Sequence, residues 1–286
     1  MIRAIVHDGA WLTAGVLEFP EAVEITMATP VERVDAVARQ VLCLAGEPWP
    51  MRPAPQTVLR MARQYDLILT WDREILGGCA HAVMLPFGTT WIAPEDRGLE
   101  GQKKQFKVTT FCGGKKGLAG YGVREEVWSR AHEIRVAYEL WASARTPLPV
   151  SFPPTGAGAV RILPVEAAGK RVMFDAMFHV AIENSQWPNY FTEKLIDCFV
   201  TGTVPIYWGC PNVGDFFDRD GVVVVRDAEE IIRVCNSLTV EDYTRRRAAI
   251  ARNFELCQPY CEDFAVRLKR VIMQNLFAGK PAEARA

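Results

Sequence analysis

Residues Phe178 to Gly209 constrain the fold more than any other stretch of this chain. An apolar run, Phe178 to Ile182, stops abruptly at Glu183-Asn184-Ser185, and an aromatic loop with Trp187 and Tyr190 follows. Thr192-Glu193-Lys194 then opens a helix whose apolar positions Leu195, Ile196, Phe199 and Val200 share one face. Gly202 closes that helix, and a second apolar run, Val204 to Trp208, ends at Gly209. Strand, loop, helix and strand in this order read as a crossover unit of a parallel sheet. In open sheets of that kind, the loops leaving the carboxyl ends of the strands hold the ligand.

The rest of the chain agrees with this class. Ala4 to His7, Val41 to Leu44, Leu67 to Thr70 and Ala82 to Leu85 read as strands. Val31 to Gln40 and Thr57 to Gln64 read as helices, with Thr57 as the expected N-cap. This alternation predicts a first parallel α/β domain over residues 1–95. The polar stretch Pro94 to Gln105 has few apolar residues, and residues 96–105 are the expected linker. A second domain is predicted over 106–265, with 266–286 as a C-terminal helix and tail. Within it, Lys107 to Phe111 reads as a strand. Cys112 to Gly122, with five glycines and two lysines, reads as a loop, and Arg124 to Leu140 as a helix. Pro147 to Gly158 reads as a turn region, Lys170 to Met177 as a short helix and Val222 to Val225 as a strand. From Ala228 onward the pattern is helical, broken near Gln258-Pro259.

Composition removes several functions. A formal net charge of −1 without a long basic run argues against nucleic acid as a partner. The N-terminal residues offer no apolar stretch long enough for a signal peptide or membrane anchor, so a cytoplasmic location is expected, peripheral to a membrane where glycan is assembled. The eight cysteines lack CxxC spacing and read as reduced, packed thiols. His7, His81, His132 and His179 form no metal-binding pair. Asp218-Arg219-Asp220 fits a D-x-D metal motif, but it precedes its strand and reads as turn chemistry.

The helix after Thr192 carries the chemistry. Its first turn offers free N–H groups, a favourable dipole and the Lys194 ammonium, which together suit a diphosphate. Glu193 adds an acceptor for a ribose hydroxyl. A capped surface helix with solvated charges has the same pattern.

The residues Glu183-Asn184-Ser185, Tyr190-x-Thr192-Glu193-Lys194 and Pro205-Ile206-x-x-Gly209 resemble the donor-binding signature of the family 10 glycosyltransferases, the α-1,3/1,4-fucosyltransferases, in a soluble bacterial or viral-type form. Looser similarities lie at Ala45-Gly46-Glu47-Pro48, Asp66 to Asp72, Arg124, Val160-Arg161 and Lys170. The resemblance implies a GT-B type α/β fold, with two Rossmann-like domains whose parallel sheets face across a cleft. It implies inverting transfer of a fucosyl group from GDP-fucose to a glycan hydroxyl. Glu47 would be the general base. Arg124 and Lys194 would neutralise the departing diphosphate, with no metal ion or other cofactor expected. Glu193 would hold the ribose, and Asn184, Tyr190 and Thr192 would line the donor site. Glu183 would order the loop or touch the sugar. Lys115, Lys116 and Arg161 are further candidates for the donor, because the loop Cys112 to Gly122 departs from the family's usual loop. The alternatives are another nucleotide-activated sugar on the same fold and mechanism, or a non-catalytic nucleotide- or glycan-binding protein.

Overall fold

The computed structural model describes residues 1–7, 17–31, 37–48, 53–143, 158–163 and 167–278. It divides into two units. The first comprises residues 1–87, 188–190 and 262–286, and the second 88–187 and 191–261. The division falls after Phe87, ahead of the stretch 96–105, which packs inside the second unit, and the C-terminal helix groups with the first unit.

The first unit begins with the short strand β1 (Ile2–Arg3), which pairs antiparallel with β3 (Glu18–Phe19). Its main sheet is wholly parallel, in the order β2 (Ile5–His7), β4 (Val23–Met27), β5 (Arg39–Leu44), β6 (Leu67–Thr70) and β7 (Ala82–Met84). Both faces are covered, so Val41 to Leu44 of β5 and Leu67 to Leu69 of β6 are unbroken apolar runs. Val41, Cys43, Leu67 and Leu69 face one core, with Phe264, Leu268 and Ile272 of the C-terminal helix. Leu42, Leu44 and Ile68 face the other, beneath Val58 and Ile75 of helices α1 (Pro55–Met61) and α2 (Arg73–Gly78).

Two expectations fail in this unit. The proposed helix Val31 to Gln40 falls partly outside the described residues, and its last two residues, Arg39 and Gln40, open β5. Thr57 is not a cap. Helix α1 starts at Pro55 after Ala54, because proline's fixed φ suits the first helical turn.

The second unit has a parallel sheet in the order β10 (Gly158–Leu163), β9 (Tyr138–Ser143), β8 (Gln105–Cys112), β11 (Ala176–Ile182), β12 (Val204–Trp208) and β13 (Val223–Val224). Counted from β8, that is the 3-2-1-4-5-6 order of a doubly wound dinucleotide fold, and its topological switch point lies between β8 and β11. Phe178, Val180, Ile182, Val204 and Ile206 pack beneath Val127 and Trp128 of α3 (Ala119–Ser129) and Ile231 and Ile232 of α5 (Ala228–Ser237). Ala181 and Tyr207 face the opposite core, with Leu195, Ile196 and Phe199 of α4 (Glu193–Val200). The chain ends through α6 (Val240–Thr244), α7 (Arg247–Leu256) and α8 (Phe264–Leu276).

The sequence misplaces one helix here. The expected helix Arg124 to Leu140 ends at Ser129, and Tyr138–Ser143 is strand β9. Tyr138, Leu140 and Ala142 face one core and Trp141 the other, a period of two that a helix cannot satisfy. The expected loop through Gly122 is shorter, since α3 already begins at Ala119. The turn region Pro147 to Gly158 lies outside the described residues, except Gly158, which starts β10. The strand expected at Val222 to Val225 narrows to a two-residue edge, β13.

Each unit is a parallel α/β layer, as the resemblance implies for the two Rossmann-like domains of a GT-B type fold.

Candidate functional site

Loops from the carboxyl ends of β8 and β11 meet at the switch point of the second unit. The first carries Gly113 to Leu118 into α3. The second is Glu183-Asn184-Ser185. They are joined by a close backbone approach: the Gly120 N–H donates to the Asn184 carbonyl at 2.9 Å. A Cβ at position 120 would lie 1.8 Å from the Glu183 carbonyl oxygen, so only glycine fits. Arg124, one turn along α3, is buried, and its Nε donates to the Ile182 carbonyl at 3.1 Å, with Nη2 donating to the same oxygen.

Helix α4 starts beside these loops. Thr192 is its N-cap, as the sequence predicts, and Gly202 ends it at φ +67°. The Gly202 N–H bonds the Phe199 carbonyl and the Thr203 N–H the Cys198 carbonyl, which is the paired closure of a Schellman motif. The helix is buried along its length, which removes the alternative of a capped surface helix with solvated charges. Among its residues, only Lys194 is more than slightly exposed.

Glu183 organises the start of α4. Its carboxylate is fully buried and accepts from the Thr192 N–H at 2.8 Å and from the Thr192 hydroxyl at 2.7 Å. Lys194 Nζ donates to Glu193 Oε1 at 2.9 Å and to Thr192 Oγ1 at 3.0 Å, and lies 3.7 Å from Glu183 Oε2. Burial pushes the Glu183 carboxyl up, against the pull of Lys194. Burial also opposes charge on Glu193, but the Lys194 and Lys170 ammonium groups outweigh it and bring its carboxyl down to about 2. Lys194 is likewise desolvated, yet Glu193 and Glu183 hold its pKa above the ordinary lysine value, with the Arg124 charge acting the other way.

A second buried network lies further along α4. Asp197 accepts from the Thr90 hydroxyl at 2.7 Å, the Trp91 N–H at 2.8 Å and Lys170 Nζ at 2.5 Å. Lys170 also sits 4.5 Å from the centroid of the Trp91 ring. Burial raises the Asp197 carboxyl while Lys170 opposes it. Nothing in the spacing of the signature points to Asp197, although a carboxylate among Leu195, Ile196 and Phe199 is itself a signal that a buried partner is needed.

Arg124, Glu183, Asn184, Thr192, Glu193 and Lys194 are thus assembled around the ends of β11 and the start of α4. The other sequence candidates have neighbours of their own. Arg161 is on β10, the outermost strand, paired with Glu139 at 3.0 Å. Lys115 and Lys116 are exposed in the glycine-rich loop, with Lys116 paired to Glu125. Tyr190 belongs to the first unit, where it is buried with its ring 5.2 Å from that of Trp71, and neighbouring Asn189 donates to the Trp71 carbonyl at 3.0 Å. Glu47, also in the first unit, is exposed in the turn after β5, next to Gly46, whose carbonyl accepts from Trp71 Nε1 at 3.1 Å.

Asp218 caps the turn Arg219–Gly221 and pairs with Arg252, so the D-x-D residues serve local structure. Among the described residues, no group of three or more His, Cys, Asp and Glu is placed to hold a metal ion, and no helix is long and apolar enough to cross a membrane. All eight cysteines are free thiols. His179 is buried against Thr109, with Nδ1 2.8 Å from the hydroxyl, and burial, with the Lys170 charge, brings its pKa down to about 3.

Residues 161–247 match the family model described as glycosyltransferase family 10 (fucosyltransferase), C-terminal. Over 77 residues the chain is 39% identical to the alpha-(1,3)-fucosyltransferase FucT of Helicobacter pylori, a match covering 26% of this chain and 16% of that protein. Over 50 residues it is 36% identical to the putative fucosyltransferase R654 of Acanthamoeba polyphaga mimivirus, covering 18% and 8%. The chain thus spans less than two thirds of these relatives' length. Among solved structures, it is similar to an alpha1,3-fucosyltransferase with GDP-fucose, at TM-score 0.50 and 15% identity over 89% of this chain and 82% of that one. It is also similar to the OtsA apo structure, at TM-score 0.57 and 10% identity over 91% and 74%. At these identities, the structural likenesses speak to the fold.

Proposed function

We propose that this chain, whose residues 161–247 belong to glycosyltransferase family 10, transfers a fucosyl group from GDP-fucose to a hydroxyl of a glycan acceptor. The gathering of Arg124, Asn184, Thr192, Glu193 and Lys194 at a Rossmann switch point carries this reading, because that is where a parallel sheet receives a nucleotide. Arg124 and Lys194 supply the positive charge that a departing diphosphate needs, so no metal ion takes part. Glu193 accepts from the ribose, and Asn184 and Tyr190 line the donor. For Glu183, complete burial and two bonds to Thr192 support the ordering role over contact with the sugar.

Glu47 takes the proton from the acceptor hydroxyl. The acceptor oxygen then attacks the anomeric carbon from one face, while the bond to the diphosphate breaks on the other and its electron pair leaves with GDP. The configuration inverts in this single displacement.

The test is a donor screen by mass spectrometry against oligosaccharides ending in galactose–GlcNAc, with EDTA present. A deoxyhexose mass gain from GDP-fucose, together with GDP binding in preference to UDP and dTDP, is the expected result. Transfer from a UDP or dTDP sugar instead would change the donor, and no transfer from any donor would leave a binding protein.

A further inference from the structure

The second unit also holds a cavity of about 420 Å³ at the opposite end of its sheet. Lys104 precedes β8, Met177 lies near the start of β11, and Thr201 and Gly202 precede β12, so the walls are the amino ends of the strands. The cluster around Glu183 follows the carboxyl end of β11, about 20 Å away along a seven-residue strand. Helices α6 and α7 close the cavity with Tyr243, Arg247 and Ile250. Its volume falls within the usual range for small-molecule sites, roughly 300–1,000 Å³.

The polar groups in this cavity are unbalanced. Lys104 Nζ donates to two neutral acceptors, the Phe174 carbonyl and the Thr203 hydroxyl, the latter at 2.8 Å. An ammonium has three donors, so one remains. Among the described residues, neither Lys104 nor Arg247 is ion-paired with a carboxylate. The Tyr243 hydroxyl donates to the Gly202 carbonyl at 2.8 Å, leaving its oxygen free to accept. Leu99, Met177 and Ile250 supply an apolar lining. Two cations with no directly paired carboxylate among the described residues, set against an apolar wall, complement an anion with an apolar body. The Lys104 charge is also costly as it stands: burial and the like charge of Arg171 bring its pKa down to about 7, against the smaller opposing effects of Cys198 and Asp175.

We propose that this cavity is a second ligand site, for a small organic anion whose carboxylate or phosphate sits between Lys104 and Arg247 and whose apolar part lies against Leu99, Met177 and Ile250. The site is independent of the donor reading above.

Titration of the full chain with benzoate and with phenyl phosphate, followed by calorimetry and by saturation-transfer NMR, tests this. Saturable binding of one of them is expected at one site per chain, unaffected by saturating GDP, and the ratio of the two affinities identifies the head group. Lys104→Met and Arg247→Gln should each weaken it at least tenfold. Arg247 is exposed, so its variant decides the matter even if Lys104→Met fails to fold. Absence of saturable binding by both probes, equal affinity in Arg247→Gln, or displacement by GDP would each overturn the proposal. A chain that binds the probe but not GDP would sink the donor assignment alone.

Discussion

The carboxylate of Glu183 grips both polar groups of Thr192, accepting the backbone N–H through one oxygen and the side-chain hydroxyl through the other, at 2.8 and 2.7 Å. The end of β11 is thereby tied to the N-cap of α4. The anion expected at this helix start from its free N–H groups is supplied, at the cap itself, by the protein.

Removing that carboxylate leaves buried donors without acceptors. Glu183→Ala should lower stability by roughly 2–6 kcal/mol, since two donors are stranded at about 1–3 kcal/mol each. Glu183→Gln keeps one acceptor and should cost less than half as much. Urea unfolding midpoints measure both, and equal midpoints for the two variants would refute the assigned role.

Two glycines in α3 should respond in opposite directions. Gly120→Ala drives a methyl into the Glu183 carbonyl, a backbone atom that cannot step aside, and should destabilise by about 1–3 kcal/mol or more. A methyl at position 122 would meet nothing within 4 Å, so Gly122→Ala should stabilise by about 0.5–1 kcal/mol through helix propensity. Thermal melts of the pair decide this, and two losses would be the contrary result.

Glu193 should contribute to acid unfolding. Its folded-state pKa of about 2 lies below the ordinary 4.5, so the folded protein binds fewer protons than the unfolded chain between these values. Its contribution is therefore present above pH 4.5 and fades as pH falls towards 2. Glu183, raised by burial, acts in the opposite sense, losing its contribution as pH climbs through its folded-state pKa. The stability gap between the wild type and Glu193→Gln isolates the first effect. It should close on acidification from neutral pH, and a gap independent of pH would exclude the effect.

Breaking the buried pair between Lys170 and Asp197 of α4 should be costly. Lys170 and Asp197 side chains are 7% and 0% exposed, so Lys170→Met strands a carboxylate and should cost roughly 3–5 kcal/mol. Adding Asp197→Leu should recover part of that loss. A double variant less stable than the single one would argue against an uncompensated charge as the cause.

The proposed roles in transfer divide cleanly. Lys194→Ala should weaken GDP binding by roughly 1.5–3 kcal/mol, the range for a bond assisted by charge. Glu47→Gln should abolish transfer and leave GDP affinity unchanged. Calorimetry with GDP, run beside a transfer assay, separates them. An unaltered dissociation constant in the first variant, or full turnover in the second, would remove that residue from its role.

The crossover unit is readable in the sequence because its apolar runs are continuous and its helix carries a start signal, Thr192, and a stop signal, Gly202. The strand β9 was hidden because Tyr138 to Ser143 follows a helical stretch without a glycine or proline between them. Spacing located Lys194 and Glu193 but could not disclose their partners. Gly120 looked like one loop glycine among several, since the Glu183 carbonyl that requires it is 63 residues away in the chain. Asp197 is obscure for the same reason: Thr90 and Lys170, which satisfy it, come from distant segments.

Lys194 rests against carboxylates of its own chain before any visitor arrives. Uptake of an anion there is a substitution, in which one negative neighbour yields to another. A displaced glutamate loses the ammonium that kept it ionised and becomes a better base. Below neutrality, then, occupancy of this spot should draw protons from solution, and the heat released should vary with the ionisation enthalpy of the buffer.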